Sequence, residues 1–192
     1  IYHIENDLFN NYSSEAYSEA MAKVGQEFNA NIYIMGATAL GRDLSARLAA
    51  RLDAALATDV VEIIADQAQI KVTRPVYSGK LLAEIELISD SKVISIRPNV
   101  FPVSSEKDIT SEVVPFKVDD VDILTKVKEV IITAQQELDV TEANIIVSGG
   151  RGVGGPEGFD VIRDFADSLN AAVGASRVAV DEGWIPYKHQ VG

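Results

Sequence analysis

The stretch Asn144-Ile145-Ile146-Val147-Ser148, followed without a gap by Gly149-Gly150-Arg151-Gly152-Val153-Gly154-Gly155-Pro156, decides how the chain is read. The apolar run reads as a buried parallel strand. Pro156 suits the first position of a helix, and Phe159, Ile162, Phe165, Ala166 and Leu169 give that helix an apolar face down to Asn170. Gly150, Gly152 and Gly155 therefore satisfy G-x-G-x-x-G in the strand-to-helix context that gives the pattern meaning. Glycines let backbone approach a phosphate, and the first N–H groups of the helix face the anion. The same glycines could instead serve only a tightly packed turn. Arg151 favours the ligand reading, because a guanidinium offers fixed donors to phosphates or to flavin carbonyls. The acidic ribose partner expected about 20 residues on is not evident, since Asp164 and Asp167 fall within the helix.

Downstream, Ala171-Ala172-Val173-Gly174-Ala175-Ser176-Arg177-Val178 sets small residues around a Ser-Arg pair. Small side chains admit a large planar ligand, and a hydroxyl beside a guanidinium offers it polar anchors. A plain surface arginine is the alternative at Arg177. Of thirteen glycines in the chain, nine lie between Gly149 and Gly192, so a domain boundary is placed near residue 140.

Upstream, Ser13 is set to cap a helix in which Ala16, Ala20, Val24 and Phe28 recur every four residues. The run Ile32 to Gly36 reads as a strand, and Leu44, Leu48, Leu52 and Leu56 mark a second helix, giving half of a βαβ unit. Thr58 to Ile64 is strand-like. From Gln69 to Leu87 the period changes to two around Ser78-Gly79, which predicts a hairpin with one wet face. Val93 to Ile96 returns to a buried strand stopped at Pro98, Pro102 to Ser111 is loop, and Val113 to Val118 is an edge-strand candidate. Val121, Leu124, Val127, Ile131, Ala134 and Leu138 mark a helix of about five turns. The fold expected is α/β, a mostly parallel sheet flanked by helices with a β-hairpin insertion. It covers residues 1–140, and the start of a second, Rossmann-like domain covers 141–192.

With 29 acidic and 17 basic residues the net charge is −12 and no basic cluster stands out, which argues against nucleic acid as a partner. The absence of Cys excludes disulfides and thiolate chemistry, and two histidines, His3 and His189, are little material for a zinc site. No apolar run approaches the roughly 20 residues of a membrane span. Nor does any Ser-His-Asp or carboxylate pair have an interpretable spacing. A soluble intracellular protein is expected.

The run Val147-Ser-Gly-Gly-Arg-Gly-Val, then Ala171 to Asp181, Gly183-Trp184 and Gln190-Val-Gly192, resembles the alpha subunit of electron transfer flavoprotein. Met35-Gly-Ala-Thr-Ala-Leu-Gly-Arg-Asp-Leu, Asp59-Val and Arg74-Pro-Val-Tyr-Ser-Gly-Lys are similar to that family's N-terminal, nucleotide-hydrolase-like domain. The resemblance implies an FAD-binding subunit of a heterodimer with a beta subunit. It would carry electrons from dehydrogenases such as acyl-CoA dehydrogenases to a quinone reductase or similar acceptor, as an electron carrier rather than a conventional enzyme. It implies flavin-site roles for Arg151, Ser176 and Arg177, beside Gly150 and Gly152, and makes Val191 with Gly192 the opening of the family's V-G-Q-T-G loop. His189 precedes that loop and is not the family's Q-H signature histidine. Against the family pattern the chain reads as truncated at both ends, leaving an incomplete flavin site that would hold FAD poorly. The location implied is cytoplasmic in a bacterium or archaeon, or the mitochondrial matrix in a eukaryote. Two alternatives stay open, an adenine-nucleotide-binding module using the turn Gly36 to Gly41, and a structural heterodimer subunit without flavin. Around that turn, Arg42, Arg47 and Arg51 read as a solvated face, with Asp43 and Arg47 spaced for an ion pair.

Overall fold

The computed structural model describes the chain except residues 67–68, 104–109, 119–120, 122, 126, 130–137, 142 and 192. It divides into two compact units, Ile1–Val130 and Ile131–Gly192.

The first unit opens with a short strand β1 (Tyr2–His3) and helix α1 (Ser14–Glu27), whose Ser13 cap accepts the Ala16 N–H. Strand β2 (Ile32–Gly36), helix α2 (Ala39–Leu52) and strand β3 (Ala55–Val60) complete a βαβ crossover. The antiparallel strands β4 (Glu62–Asp66), β5 (Gln69–Val76) and β6 (Leu81–Leu87) follow, then β7 (Lys92–Ile96) and β8 (Val114–Pro115). The parallel sheet has the order β2-β7-β3, with Val93 of β7 opposite Tyr33 on one side and Leu56 on the other. A central strand in such a sheet is covered on both faces, and Val93 and Ile94 are accordingly sealed from solvent. One core joins Ala57, Val60, Ile70, Val72, Leu87 and Ile94, and another joins Ala22, Tyr33, Leu48, Ala49 and Val93.

The parallel sheet, flanking helices and inserted hairpin follow the sequence reading, with four corrections of detail. Leu56 continues the helical spacing but lies in β3, because Asp53 adopts φ 49° and ends α2 one residue after Leu52. Thr58 to Ile64 is two strands, parted at Val61, whose N–H turns to the Thr73 carbonyl of the antiparallel sheet. Arg47 pairs with Glu15 of α1 at 2.8 Å rather than with Asp43, which accepts the Tyr12 hydroxyl at 2.7 Å. Arg51 pairs with Glu19, so Arg47 and Arg51 bridge the two helices instead of forming a merely solvated face. Finally, Val121, Leu124, Val127 and Leu138 lie in no helix, while Ile131 and Ala134 fall outside the described residues. The amides of Leu124 and Thr125 are taken by the Glu15 carboxylate at 2.8 and 3.0 Å, with the Thr125 hydroxyl at 3.1 Å.

The second unit runs β9 (Ile146–Gly149), helix α3 (Phe159–Ser168), β10 (Ala172–Ala175) and a single-turn helix α4 (Arg177–Asp181). Strands β9 and β10 are parallel, with Gly149 opposite Ala175, and a third parallel position pairs Gln190 with Ala175. The crossover helix packs Phe159 and Ala166, both fully buried, onto Val173 and Ala175, with Ala179 and Ile185 closing the cluster. Phe165 and Leu169, expected on the buried face, are 56% and 43% exposed. The face that packs is therefore narrower than the apolar pattern.

Candidate functional site

In an open parallel sheet, ligands bind outside the carboxyl ends of the strands. At that edge of the second unit three chain segments converge. The Ser176 N–H donates to the Gly149 carbonyl at 2.9 Å, so the residue after β10 is tied to the end of β9. The Val191 N–H donates to the Ala175 carbonyl at 2.9 Å, which brings the C-terminal segment to the same edge. Gly150, Arg151, Gly152, Ser176, Arg177 and Val191 are thus gathered there by register alone; Gly192 lies outside the described residues. His189 helps fix this arrangement. Its ring is buried, with Nδ1 2.9 Å from the Val173 carbonyl, so the nitrogen facing that oxygen is the protonated one. The imidazole pins the turn Tyr187–His189 to β10 just before Val191 is laid beside it.

The glycine loop divides between two uses. A Cβ on Gly158 would lie 2.1 Å from the Val153 carbonyl oxygen, and one on Gly149 would press on Phe159, Ile162 and Val153 at 3.0–3.2 Å. Those two glycines serve packing. At Gly152, Gly154 and Gly155 a Cβ would meet none of the described residues within 4 Å, and Gly154 also needs its φ of +81°, which other residues rarely adopt. A 3-10 turn, Arg151–Val153, holds this open part, and Pro156 starts a second such turn that runs into α3. The glycine pattern therefore divides, with Gly149 and Gly158 taken by packing and open space beside Gly152, Gly154 and Gly155.

Ser176 supplies the sharpest chemical signal. It precedes α4, where a serine usually accepts a backbone N–H of the helix, yet its side chain makes no such bond. Among the described residues its Oγ is buried without any hydrogen-bond partner, and it lies 3.2 Å from where a Gly150 Cβ would be. An unmade bond at a buried hydroxyl costs about 1–3 kcal/mol, which a ligand acceptor beside the Gly150 backbone would recover. The residues fit a phosphate- or ring-bearing cofactor in that respect. Arg151 is exposed at the start of the turn. Arg177 is 77% exposed, and its Nε donates to Asp181 at 3.2 Å. That surface pair contributes little to stability, and it leaves a guanidinium one residue from the unpaired hydroxyl. Asp164 and Asp167 are exposed on α3.

The turn after β2 in the first unit is built differently. A Cβ on Gly41 would sit 1.9 Å from the Gly36 carbonyl oxygen. Thr38 Oγ1 accepts the Gly41 N–H at 3.1 Å, and Arg42 Nε donates to the Ala37 carbonyl at 2.9 Å. In the turn from Gly36 to Gly41, the alternative place for an adenine nucleotide, close packing explains Gly41 and the helix start is capped from within. Among the described residues no group of three His, Cys, Asp or Glu could hold a metal ion, and no helix is long and apolar enough to cross a membrane.

Comparison with known proteins agrees with this division. Residues 1–121 match the electron transfer flavoprotein domain, and residues 139–192 match the electron transfer flavoprotein FAD-binding domain. The chain is 39% identical over 197 residues to an electron transfer flavoprotein subunit alpha from Thermoanaerobacterium thermosaccharolyticum, covering 100% of this chain and 60% of that protein. It is 37% identical over 190 residues to the subunit alpha of Bacillus subtilis, covering 98% of this chain and 58% of that one. A protein FixB from Clostridium saccharobutylicum is 35% identical over 193 residues, with 98% and 58% covered. The chain spans about three fifths of the length of these relatives. On these matches the chain belongs to the electron transfer flavoprotein family, among its alpha subunits, and its second unit is part of that family's FAD-binding domain.

Proposed function

We propose that the protein binds FAD at the carboxyl edge of β9 and β10 and works as the alpha subunit of a heterodimeric electron carrier. The donors are dehydrogenases of the acyl-CoA type, the acceptor is a quinone reductase or similar oxidoreductase, and the site of action is the cytoplasm. The flavin-bearing region begins near residue 140. The observation that carries this reading is the buried, unpartnered Ser176 Oγ facing the Gly150 backbone, beside glycines whose outer side is open.

Bound FAD supplies reversible one- and two-electron transfer. The chain's own residues bind and orient it. The open backbone at Gly152, Gly154 and Gly155 allows the close approach that a side chain would prevent. Ser176 donates its hydroxyl proton to a cofactor acceptor. Arg151 and Arg177 supply charge-assisted donors that favour an electron-rich ligand. The Val173 carbonyl, through His189, holds Val191 at the rim.

The test is the visible absorption spectrum of the protein purified with its beta partner. A flavin spectrum near one equivalent, lost on Ser176→Ala and regained with added FAD at higher concentration, is the expected result. A colourless heterodimer that FAD cannot reconstitute would leave a structural subunit and reject the assignment.

A further inference from the structure

A second charged corner lies at the carboxyl edge of the first unit's parallel sheet, and the flavin reading makes no use of it. Asp59 near the end of β3, Arg97 just past β7, Arg74 on β5 and Arg42 at the start of α2 come from four separate stretches of sequence. The backbone brings them together. The Arg97 N–H donates to the Val60 carbonyl at 2.9 Å, and the Ala37 N–H donates to the Ile96 carbonyl at 2.7 Å while the Ala37 carbonyl accepts Arg42 Nε. Arg97 grips Asp59 with two bonds, Nε to Oδ1 at 3.0 Å and Nη2 to Oδ2 at 2.6 Å. The Val61 N–H, two residues past Asp59, donates to the carbonyl of Thr73, the residue before Arg74, at 2.9 Å, and Arg42 and Arg74 add to the larger effect of the Arg97 bond in holding the Asp59 carboxyl below its usual range.

The set is more cationic than its own ion pair requires. Three guanidinium groups against one carboxylate leave two positive charges, in a protein whose net charge is −12. Among the described residues Arg74 Nε is buried with no hydrogen-bond partner, a costly state for a charged donor. Asp59 holds φ 59°, an uncommon conformation for a non-glycine residue, at the place where the β3–β7 register slips. Backbone strain of this kind persists where surrounding structure imposes it, and it clusters at ligand sites. Asp59 fixes Arg97 in place, the Ala37 carbonyl fixes Arg42, and the Arg74 donor lacks an acceptor. Arg97 and Asp59 remain 42% and 26% exposed, so the corner is open to solvent.

We propose that this corner binds a phosphate-class dianion, free or as the phosphoryl end of a small metabolite. Planar guanidinium forks match phosphate oxygens in pairs, and two net positive charges balance a dianion. The helix start of α2 takes no part, because Thr38 already caps it.

The test is a titration of the full chain with inorganic phosphate, read by 31P line width and by Tm at fixed ionic strength against chloride. Saturable broadening and a Tm rise specific to phosphate are expected, with affinity falling roughly tenfold in Arg74→Gln and several-fold in the exposed Arg42→Gln. Should Arg74→Gln fail to fold, Arg42→Gln carries the test alone. A nucleoside monophosphate arm using AMP identifies the source. Competition with phosphate that is equally sensitive to Arg42→Gln points to a phosphoryl metabolite, and phosphate binding without AMP binding points to the free anion. Equal responses to phosphate and chloride, or wild-type phosphate affinity in the folded arginine variants, would overturn the proposal.

Discussion

Each unit of this chain contains a strand, a glycine-bearing turn and a helix, and the two turns are built differently. After β2 the space behind Gly41 is filled by the Gly36 carbonyl and the helix start is capped by Thr38. After β9, among the described residues, the space outside Gly152, Gly154 and Gly155 is empty and a buried hydroxyl beside the turn has no partner. A glycine tells only that a side chain is absent. What lies where the side chain would have been decides whether the turn packs or binds.

The largest effect expected from this contrast comes from Gly41→Ala. Its Cβ would meet a backbone oxygen at 1.9 Å, and a backbone carbonyl cannot step aside as a flexible side chain can. A loss of about 2–3 kcal/mol is expected even though alanine is the better helix former. Gly152→Ala, with nothing within 4 Å, should change unfolding free energy by less than about 0.5 kcal/mol while weakening flavin retention in the heterodimer. Urea unfolding of both variants is the check. Equal costs at the two positions would break the contrast.

Acid should distinguish the units next. Glu15 accepts the Thr125 and Leu124 amides, the Thr125 hydroxyl and Arg47, and these bonds outweigh its burial to hold the carboxyl below the usual range. The stability a depressed carboxylate contributes is present above its unfolded value of about 4.3 and is lost as pH falls through the folded one. Protection of the Leu124 and Thr125 amides, taken as the ratio of intrinsic to observed exchange rate, should therefore fall as acid protonates the Glu15 carboxylate below its ordinary range. Glu15→Gln should lower Tm by several degrees at neutral pH and flatten that acid dependence. A variant as stable as wild type at neutral pH would show that the clamp contributes nothing.

How much of this was legible in sequence depends on range. The period-two run of β5 and β6, the apolar β7 and the strand-turn-helix around Gly150 were readable, because each is a local pattern set by backbone periodicity. Leu56 continues the helical count because the stop signal, a left-handed cap, falls on Asp53 instead of the glycine that usually marks one, and so has no signature in the spacing. Glu15, 110 residues from Thr125, and Asp59, 38 residues from Arg97, were not legible at all. Partners that distant are chosen by topology. In the candidate site, the residues could be named from the family likeness, but the unpaired state of Ser176 Oγ and the placing of Val191 through His189 needed the strand register.

Ser176→Ala carries a smaller effect with a diagnostic sign. Removing a buried hydroxyl that has no partner should leave the ligand-free chain unchanged or more stable by up to about 1 kcal/mol. The same substitution should weaken flavin binding roughly tenfold, the equivalent of about 1.4 kcal/mol. Opposite signs in the two measurements are the mark of a binding group, whereas a structural group would lose stability in both. Destabilisation of the ligand-free chain would show that Ser176 has an internal acceptor.

Arg177→Ala should be nearly silent in stability, because its pair with Asp181 joins side chains 77% and 61% exposed and such pairs are worth about 0.3–0.5 kcal/mol. Its effect belongs in the reduction potential. A unit charge at contact range in near-water dielectric is worth about 1 kcal/mol, or about 40 mV for one electron at roughly 2.3 kcal/mol per 100 mV. The first reduction potential of the bound flavin should fall by that order in Arg177→Ala, and by less in Arg177→Lys, which keeps the charge and loses the planar fork. Asp181→Asn should move it the other way, since it frees the guanidinium from its internal partner without removing it. An unchanged potential in all three variants would reduce Arg177 to the plain surface residue that its exposure alone suggests, and would leave Arg151 as the charged group at this end of the sheet.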